Sequence, residues 1–254
     1  TASEPGPHAL TLDAAGGTNC GGAVSIASLD VLRAASLGNA TITTSGAQHW
    51  RGALGLIGNA TLTSTGGGLL RFDGAIDGPG ALIANTAGAT EFGGAIGATQ
   101  ALGSLETDAA GSTTLAGNVR TSGALTVNDA LTLAGNATVT TGSATFASAV
   151  DGAHALTVNA SGLTTFGAAV GSGTALASLT TDAAGSTHVG GNVTTSGTQH
   201  YGDAVTLTAA TNFTAGALVF DSTLAAGSRQ LGLQADALTL GGTVSGSGTV
   251  SLAP

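Results

Sequence analysis

The sequence predicts an all-β fold, a right-handed parallel β-helix (β-solenoid) whose coils are about 18–20 residues long. Three observations predict it: a long internal repeat with a shorter period inside it, period-two alternation of apolar and polar residues, and a composition dominated by small side chains. Ala (49), Gly (43), Thr (40) and Ser (21) make up most of the 254 residues. Gly is far above its usual share of about 7%, whereas aromatics are 3% and charged residues 7%. Hydrophobic residues still reach 42%, so the chain can bury a core, one built from small side chains.

The repeat is explicit. Thr107-Asp108-Ala109-Ala110-Gly111-Ser112-Thr113 recurs at an offset of 74 as Thr181-Asp182-Ala183-Ala184-Gly185-Ser186-Thr187. The same offset relates Gly117-Asn118-Val119 to Gly191-Asn192-Val193, Asp129 to Asp203, and Arg71-Phe72-Asp73-Gly74-Ala75-Ile76-Asp77-Gly78 to the stretch ending Asp151-Gly152. Residues 1–254 therefore read as one solenoid, with copies over about 8–78, 79–152 and 153–227 and a partial fourth over 228–254. Inside each copy, Gly38-Asn39 recurs as Gly58-Asn59, and Gly117-Asn118 as Gly135-Asn136, at offsets of 20 and 18. On that count one long repeat is four coils, and the chain has about 13 coils in a rod of roughly 60 Å.

The strands follow from alternation. In Leu156-Thr157-Val158-Asn159-Ala160 the apolar residues share one side, and Leu131-Thr132-Leu133 and Ala144-Thr145-Phe146-Ala147 do the same. Period two over such short runs marks a half-buried strand. Thr, Val, Asn and Gly are also poor helix formers. Gly-Asn, Ser-Gly, Asp-Gly and Asp-Ala-Ala-Gly supply the turns, because Gly accepts positive φ and Asp or Asn side chains bond nearby backbone groups.

Runs such as Ser178-Leu179-Thr180-Thr181-Asp182-Ala183-Ala184-Gly185-Ser186-Thr187 and Thr198-Gln199-His200-Tyr201-Gly202-Asp203-Ala204-Val205-Thr206-Leu207 resemble the repeats of large bacterial exoproteins, the filamentous-haemagglutinin-like and autotransporter-type adhesins. The resemblance covers nearly the whole chain. It implies a structural or adhesive shaft, secreted or at the bacterial cell surface, with a host or surface glycan or protein as partner. Neither a secretion-domain motif of the two-partner type nor a C-terminal barrel is found. Thr1 to Pro7 hold no basic or apolar leader, which suggests a processed chain or an internal fragment.

The residues themselves point away from chemistry. A net charge of −9, with five Arg and no Lys, makes nucleic acid a poor partner. The chain has no uninterrupted apolar run of about 18 residues, the length that marks a membrane-crossing helix, so no membrane span is expected. Trp50, Val127 and Tyr201 share one repeat position, which reads as a packing site. His49 and His200 align with Thr126 as outward strand residues, His8 and His154 with Gly80, and His188 with Thr114. No His/Cys/Asp spacing has ligand character, so no metal and no cofactor are expected. Cys20 aligns with Phe92 and Phe166 and reads as a small buried hydrophobe. Asp77, Asp151, Asp108 and Asp182 read as turn caps; each pair lies one repeat apart, too far for the paired carboxylates of a glycosidase. Arg33, Arg51, Arg71, Arg120 and Arg229 read as scattered. The Asn-x-Ser/Thr matches at Asn39, Asn59, Asn136, Asn159, Asn192 and Asn212 are chance in so Thr-rich a repeat.

No catalytic residue is therefore expected, and the leading reading is a non-enzymatic shaft. A self-assembling filament or surface-layer subunit, associating end to end, is the alternative. An ice-binding solenoid or a carbohydrate-active β-helix enzyme ranks lower. The Thr-x-Thr pairs Thr41/Thr43 and Thr61/Thr63 lie one coil apart, but the ladder does not continue.

Overall fold

The computed structural model describes residues 8–254, and every regular element in them is a β-strand. The leader reading of Thr1 to Pro7 lies outside the described residues. All strand pairs are parallel and join residues about one coil apart, which is a β-solenoid. Each coil visits three faces. Face 1 carries Ala9–Leu12, Ser28–Val31, Gln48–Trp50 and Leu70–Phe72; face 2 carries Leu54–Leu56, Ala137–Thr141 and Ala155–Ala160; face 3 carries Ala60–Ser64, Leu82–Thr86 and Ser143–Phe146. Face 1 can be followed without a break through Leu10, Leu29, Gln48, Leu70, Thr90, Thr113, Leu131, Val150, Val170, Val193, Phe213, Leu233 and Leu252. Those thirteen stacked positions enclose twelve turns, roughly 60 Å of rod at the spacing of parallel strands.

Alternation decides which side chains enter the core. In Ala155–Ala160, Leu156, Val158 and Ala160 are buried and their neighbours partly exposed, as the pattern required. Aromatic rings stack within each face. Trp50, Phe72 and Phe92 lie over one another on face 1, Phe146 and Phe166 on face 3 with centroids 5.3 Å apart, and Tyr201 and Phe220 on face 2 with centroids 4.9 Å apart. Phe213 packs edge-on to the last pair. At the corner between faces 2 and 3, the side-chain oxygen of Asn39 accepts from Asn59 N–H, and that of Asn59 from Ala81 N–H; Asn118, Asn136 and Asn192 do the same at other corners. The recurrent Gly-Asn pairs are thus ties between successive coils.

One expectation is corrected. The long repeat spans eleven strands, or three and two-thirds turns, and not four coils. Ile76 belongs to face 2, but its repeat partner Val150 belongs to face 1. Leu82 lies on face 3, and its partner Leu156 on face 2. Trp50, Val127 and Tyr201, one position in three copies, are buried on faces 1, 3 and 2 respectively. The cause is coil length. Leu131 stacks on Thr113 and Val150 on Leu131 through short coils with tight turns, but the coil from Thr90 to Thr113 is longer because it holds both the Gly97–Ala101 loop and the Asp108–Gly111 turn. Averaged over the twelve turns from Leu10 to Leu252, a coil takes up enough chain that eleven strands fit the repeat where twelve do not.

The alignment of Cys20 is also corrected. Cys20 pairs with Leu37, which pairs with Leu56, so it is on face 2 in the first coil, whereas Phe92 is on face 1. The first coil follows another offset: Leu10-Thr11-Leu12-Asp13-Ala14-Ala15-Gly16 matches Leu105–Gly111 and Leu179–Gly185, which places Cys20 with Leu115 and Val189. The side chain is partly buried against the core, and burial raises its thiol above the usual range.

Candidate functional site

The greatest concentration of chemically able side chains among the described residues lies on the outer side of face 1, over the first five coils. Strand pairing stacks Thr11, Asp30, His49, Arg71 and Glu91 in one outward row. A second row two residues along contributes Asp13, Arg51 and Asp73, with Arg33 beside it. Arg51 donates to both oxygens of Asp30, at 2.8 and 2.9 Å. Arg71 donates to Asp73 at 2.6 Å and lies 3.4 Å from Glu91. His49 Nε2 is 2.6 Å from Asp73, and Arg33 pairs with Asp13.

Three arginines read from the sequence as scattered are therefore brought together; Arg120 and Arg229 take no part in these ion pairs. The signal was present at the coil offset: Asp13 and Arg33, Asp30 and Arg51, and Arg71 and Glu91 are each separated by one coil of chain. It was invisible at the offset of the long repeat. The Arg51 hydrogen bond holds the Asp30 carboxyl below its ordinary value, and the Arg71 hydrogen bond does the same for Asp73. Both stay ionised and engaged with cations at neutral pH. The pairs Arg33–Asp13, Arg51–Asp30, His49–Asp73 and Arg71–Glu91 join successive coils.

The other candidates separate. Asp77 Oδ1 accepts from Thr99 and Gln100 N–H, and Asp151 Oδ1 from Gly173 and Thr174 N–H, so both cap the loop of the coil above. They sit on different faces. Asp182 accepts from Ala160 N–H, while Asp108 Oδ1 is buried without a partner among the described residues. His49 and His200 face outward, each against a carboxylate, but on faces 1 and 2; His188 is on face 3. Among the described residues no group of three or more His, Cys, Asp or Glu side chains could hold a metal ion. Thr41/Thr43 and Thr61/Thr63 stack in register, but the next coil puts Ile83 and Asn85 there, ending the ladder.

Sequence reasoning missed two buried carboxylates. Asp129 accepts from the hydroxyls of Thr107 and Thr113, at 3.1 and 2.8 Å, and Asp203 from those of Thr181 and Thr187, at 3.3 and 2.9 Å. Burial raises both carboxyls above the ordinary range, against the pull of the hydroxyls. The Asp129/Asp203 pair one repeat apart was the available signal, but position alone did not say that they point inward. A hollow of about 280 Å³ lies at the C-terminal end of the rod between Leu218, Leu233, Leu238, Leu252 and Pro254. No family model, no curated protein and no solved structure matches the chain.

Proposed function

We propose that the chain is a rigid, non-enzymatic shaft segment of a bacterial surface or secreted exoprotein, holding an active part at a distance and offering its outward Thr, Asn and Ser rows as an adhesive surface to a glycan or protein. The observation that carries the reading is the continuous interior: thirteen positions on one face stack without interruption from Leu10 to Leu252. A close-packed column of that kind resists bending, because any hinge would separate stacked side chains over the whole cross-section. The bonding of several acids supports it as well: Asp77 and Asp151 cap turns, Asp30 and Asp73 pair with arginine, and Asp129 and Asp203 lie under threonine hydroxyls.

The reading is tested by placing the chain between a surface anchor and a fluorescent reporter and measuring the reporter's height. The chain is expected to raise the reporter by roughly 60 Å, in proportion to the number of coils present. A height that does not follow coil number would sink the spacer role. Cleavage of any polysaccharide by the isolated chain would replace it with an enzymatic one.

A further inference from the structure

The internal repeat contains two versions of one packing site. Thr107 and Thr113 enclose Asp129 in one segment, and Thr181 and Thr187 enclose Asp203 in its sister. In the sister, Tyr201 fills the interior two residues before the carboxylate. Its ring stacks on Phe220, with centroids 4.9 Å apart, and meets Phe213 edge-on at 5.5 Å. The offset of 74 puts Val127 in place of Tyr201 and Val139 in place of Phe213. Both valines are buried and point into the same core, so two ring positions of the sister hold much smaller side chains here.

The consequence is a hollow between Phe92, Leu115, Val119, Val127, Leu131 and Phe146, all of them buried. At about 10 Å³ it is at the lower limit for one water, and its apolar wall lacks the partners a water needs. A void of this kind forfeits dispersion contacts along its lining. The polar groups of the two segments differ as well. Asp182 Oδ1 accepts from Ala160 N–H at 3.2 Å, whereas its counterpart Asp108 has Oδ1 buried without a partner among the described residues. The segment with less packing thus also holds the less satisfied carboxylate.

Asp129 lies at a corner between two stacked stretches of chain. The stretch on one side, 147–149, has no titratable group, and the stretch on the other, 108–112, brings only Asp108. Burial and then the Asp108 charge disfavour the ionised carboxyl, and the two threonine hydroxyls offset part of that. Opening this corner to water relieves the carboxylate. The same relief is open to Asp203, but there it would separate Tyr201 from both Phe220 and Phe213.

We propose that the segment Leu105–Leu131 is a built-in yield point of the rod: it opens locally and exposes Asp129 to water while the coils around it, the sister segment Leu179–Val205 among them, stay stacked. Local opening takes least free energy where few apolar contacts are lost. In a solenoid each coil touches only its neighbours, so one can loosen without unravelling the rest. Rising pH promotes the opening, because the carboxyl ionises more readily in the open segment than in the closed one. A yield point is no part of the shaft reading and follows from the interior alone.

Hydrogen exchange of the full chain, followed by mass spectrometry, tests it. Residues 105–131 and 179–205 are close in sequence, so their intrinsic rates at one pH are similar and a difference in protection reports opening. At neutral pH, 105–131 is expected to exchange about tenfold faster than 179–205. Equal protection, or better protection of 105–131, overturns the proposal. Val127→Leu, which adds one methylene group toward the hollow, is expected to slow exchange over 105–131 several-fold. Tyr201→Val, which gives the sister the smaller side chain, is expected to bring 179–205 toward the rate of 105–131. With strand content intact by circular dichroism, a Tyr201→Val chain whose 179–205 stays as protected as before overturns the packing origin of the yield point. Asp129→Asn is expected to slow 105–131 at neutral pH and to leave 179–205 unchanged; exchange over 105–131 that is no slower overturns the part given to the carboxylate.

Discussion

A carboxyl group enclosed by threonine hydroxyls and strand backbone is a poor place for a charge, and Asp129 and Asp203 are both so placed. Burial favours their neutral form, the neighbouring charges of Asp108 and Asp182 add to that, and the Thr hydroxyls offset part of it. The native carboxyls therefore bind a proton more readily than in the unfolded chain, where the ordinary value is 3.8. Their contribution to stability falls as pH rises from 3.8 through the raised native values. Asp30 and Asp73 have the opposite sign. Their native values are lowered, so their contribution is present above 3.8 and is lost as pH falls through the lowered values. The two windows lie on either side of 3.8, and together these four groups place maximal stability near that pH. Asp129→Asn with Asp203→Asn is expected to remove the decline on the neutral side and leave the acid limb intact. Denaturant unfolding from about pH 3 to about pH 7 checks this; a double variant whose neutral-side decline equals that of the parent would refute it. This chemistry was only half legible. The recurrence of Asp129 at 203 was in the sequence, but whether an Asp in a turn points in or out is set by the corner, which alternation does not describe.

At the level of the strand, alternation was a reliable guide because each strand has one wet and one dry side, and Leu156, Val158 and Phe146 lie where it put them. The number of strands per repeat was not legible. Gly-Asn spacings sample the tight corners, whereas the wider loops at Gly97–Ala101, Gly171–Ala175 and the Asp-Ala-Ala-Gly turns lengthen some coils without changing the strand pattern. The ion-pair ladder was missed for a related reason: charges on a solenoid meet at the coil spacing, not at the repeat spacing. The exchange of Trp50, Val127 and Tyr201 at one repeat position now has a physical account, since that position enters the same core from three directions. Phe146 is the element-scale test. It is fully buried between Val127 and Phe166 in the face 3 column. Phe146→Ala is expected to cost about 3–5 kcal/mol, the range for a large buried ring whose cavity cannot collapse. Stacked strands pinned by coils above and below have little freedom to close in. A loss below about 1 kcal/mol in denaturant unfolding would mean that the column relaxes, and that the rod is softer than a shaft requires.

For the whole molecule, the eleven-strand repeat changes what a deletion does. Removing residues 79–152 joins Gly78 to Ala153. Gly78 and Gly152 are equivalent: both have φ near +125°, and a Cβ on either would come within 2.4 Å of a carbonyl oxygen of the coil beneath, Leu56 for one and Leu133 for the other. The new junction therefore reproduces a natural corner, with its glycine kept. After it, Ala155–Ala160 no longer lies on face 2; it takes the place of Leu82–Thr86 on face 3, over Ala60–Ser64. Leu156 then occupies the position of Leu82, and everything beyond turns by one-third about the axis. The three faces accept this exchange because the same sequence already occupies each of them in turn. The shortened chain is expected to fold, keep its strand signature and lose roughly 18 Å of length by small-angle scattering, three and two-thirds coils at the strand spacing. Deleting 79–115 removes a different number of strands and joins Gly78 to Ala116, points that are not equivalent, so its corners and core residues fall out of register. It is expected to be much less stable. If the shorter deletion survives and the eleven-strand deletion unfolds, equivalence between faces is not what lets one repeat replace another. If both unfold, the coils are not locally stable units, and a rod built from them cannot be lengthened or shortened by repeats.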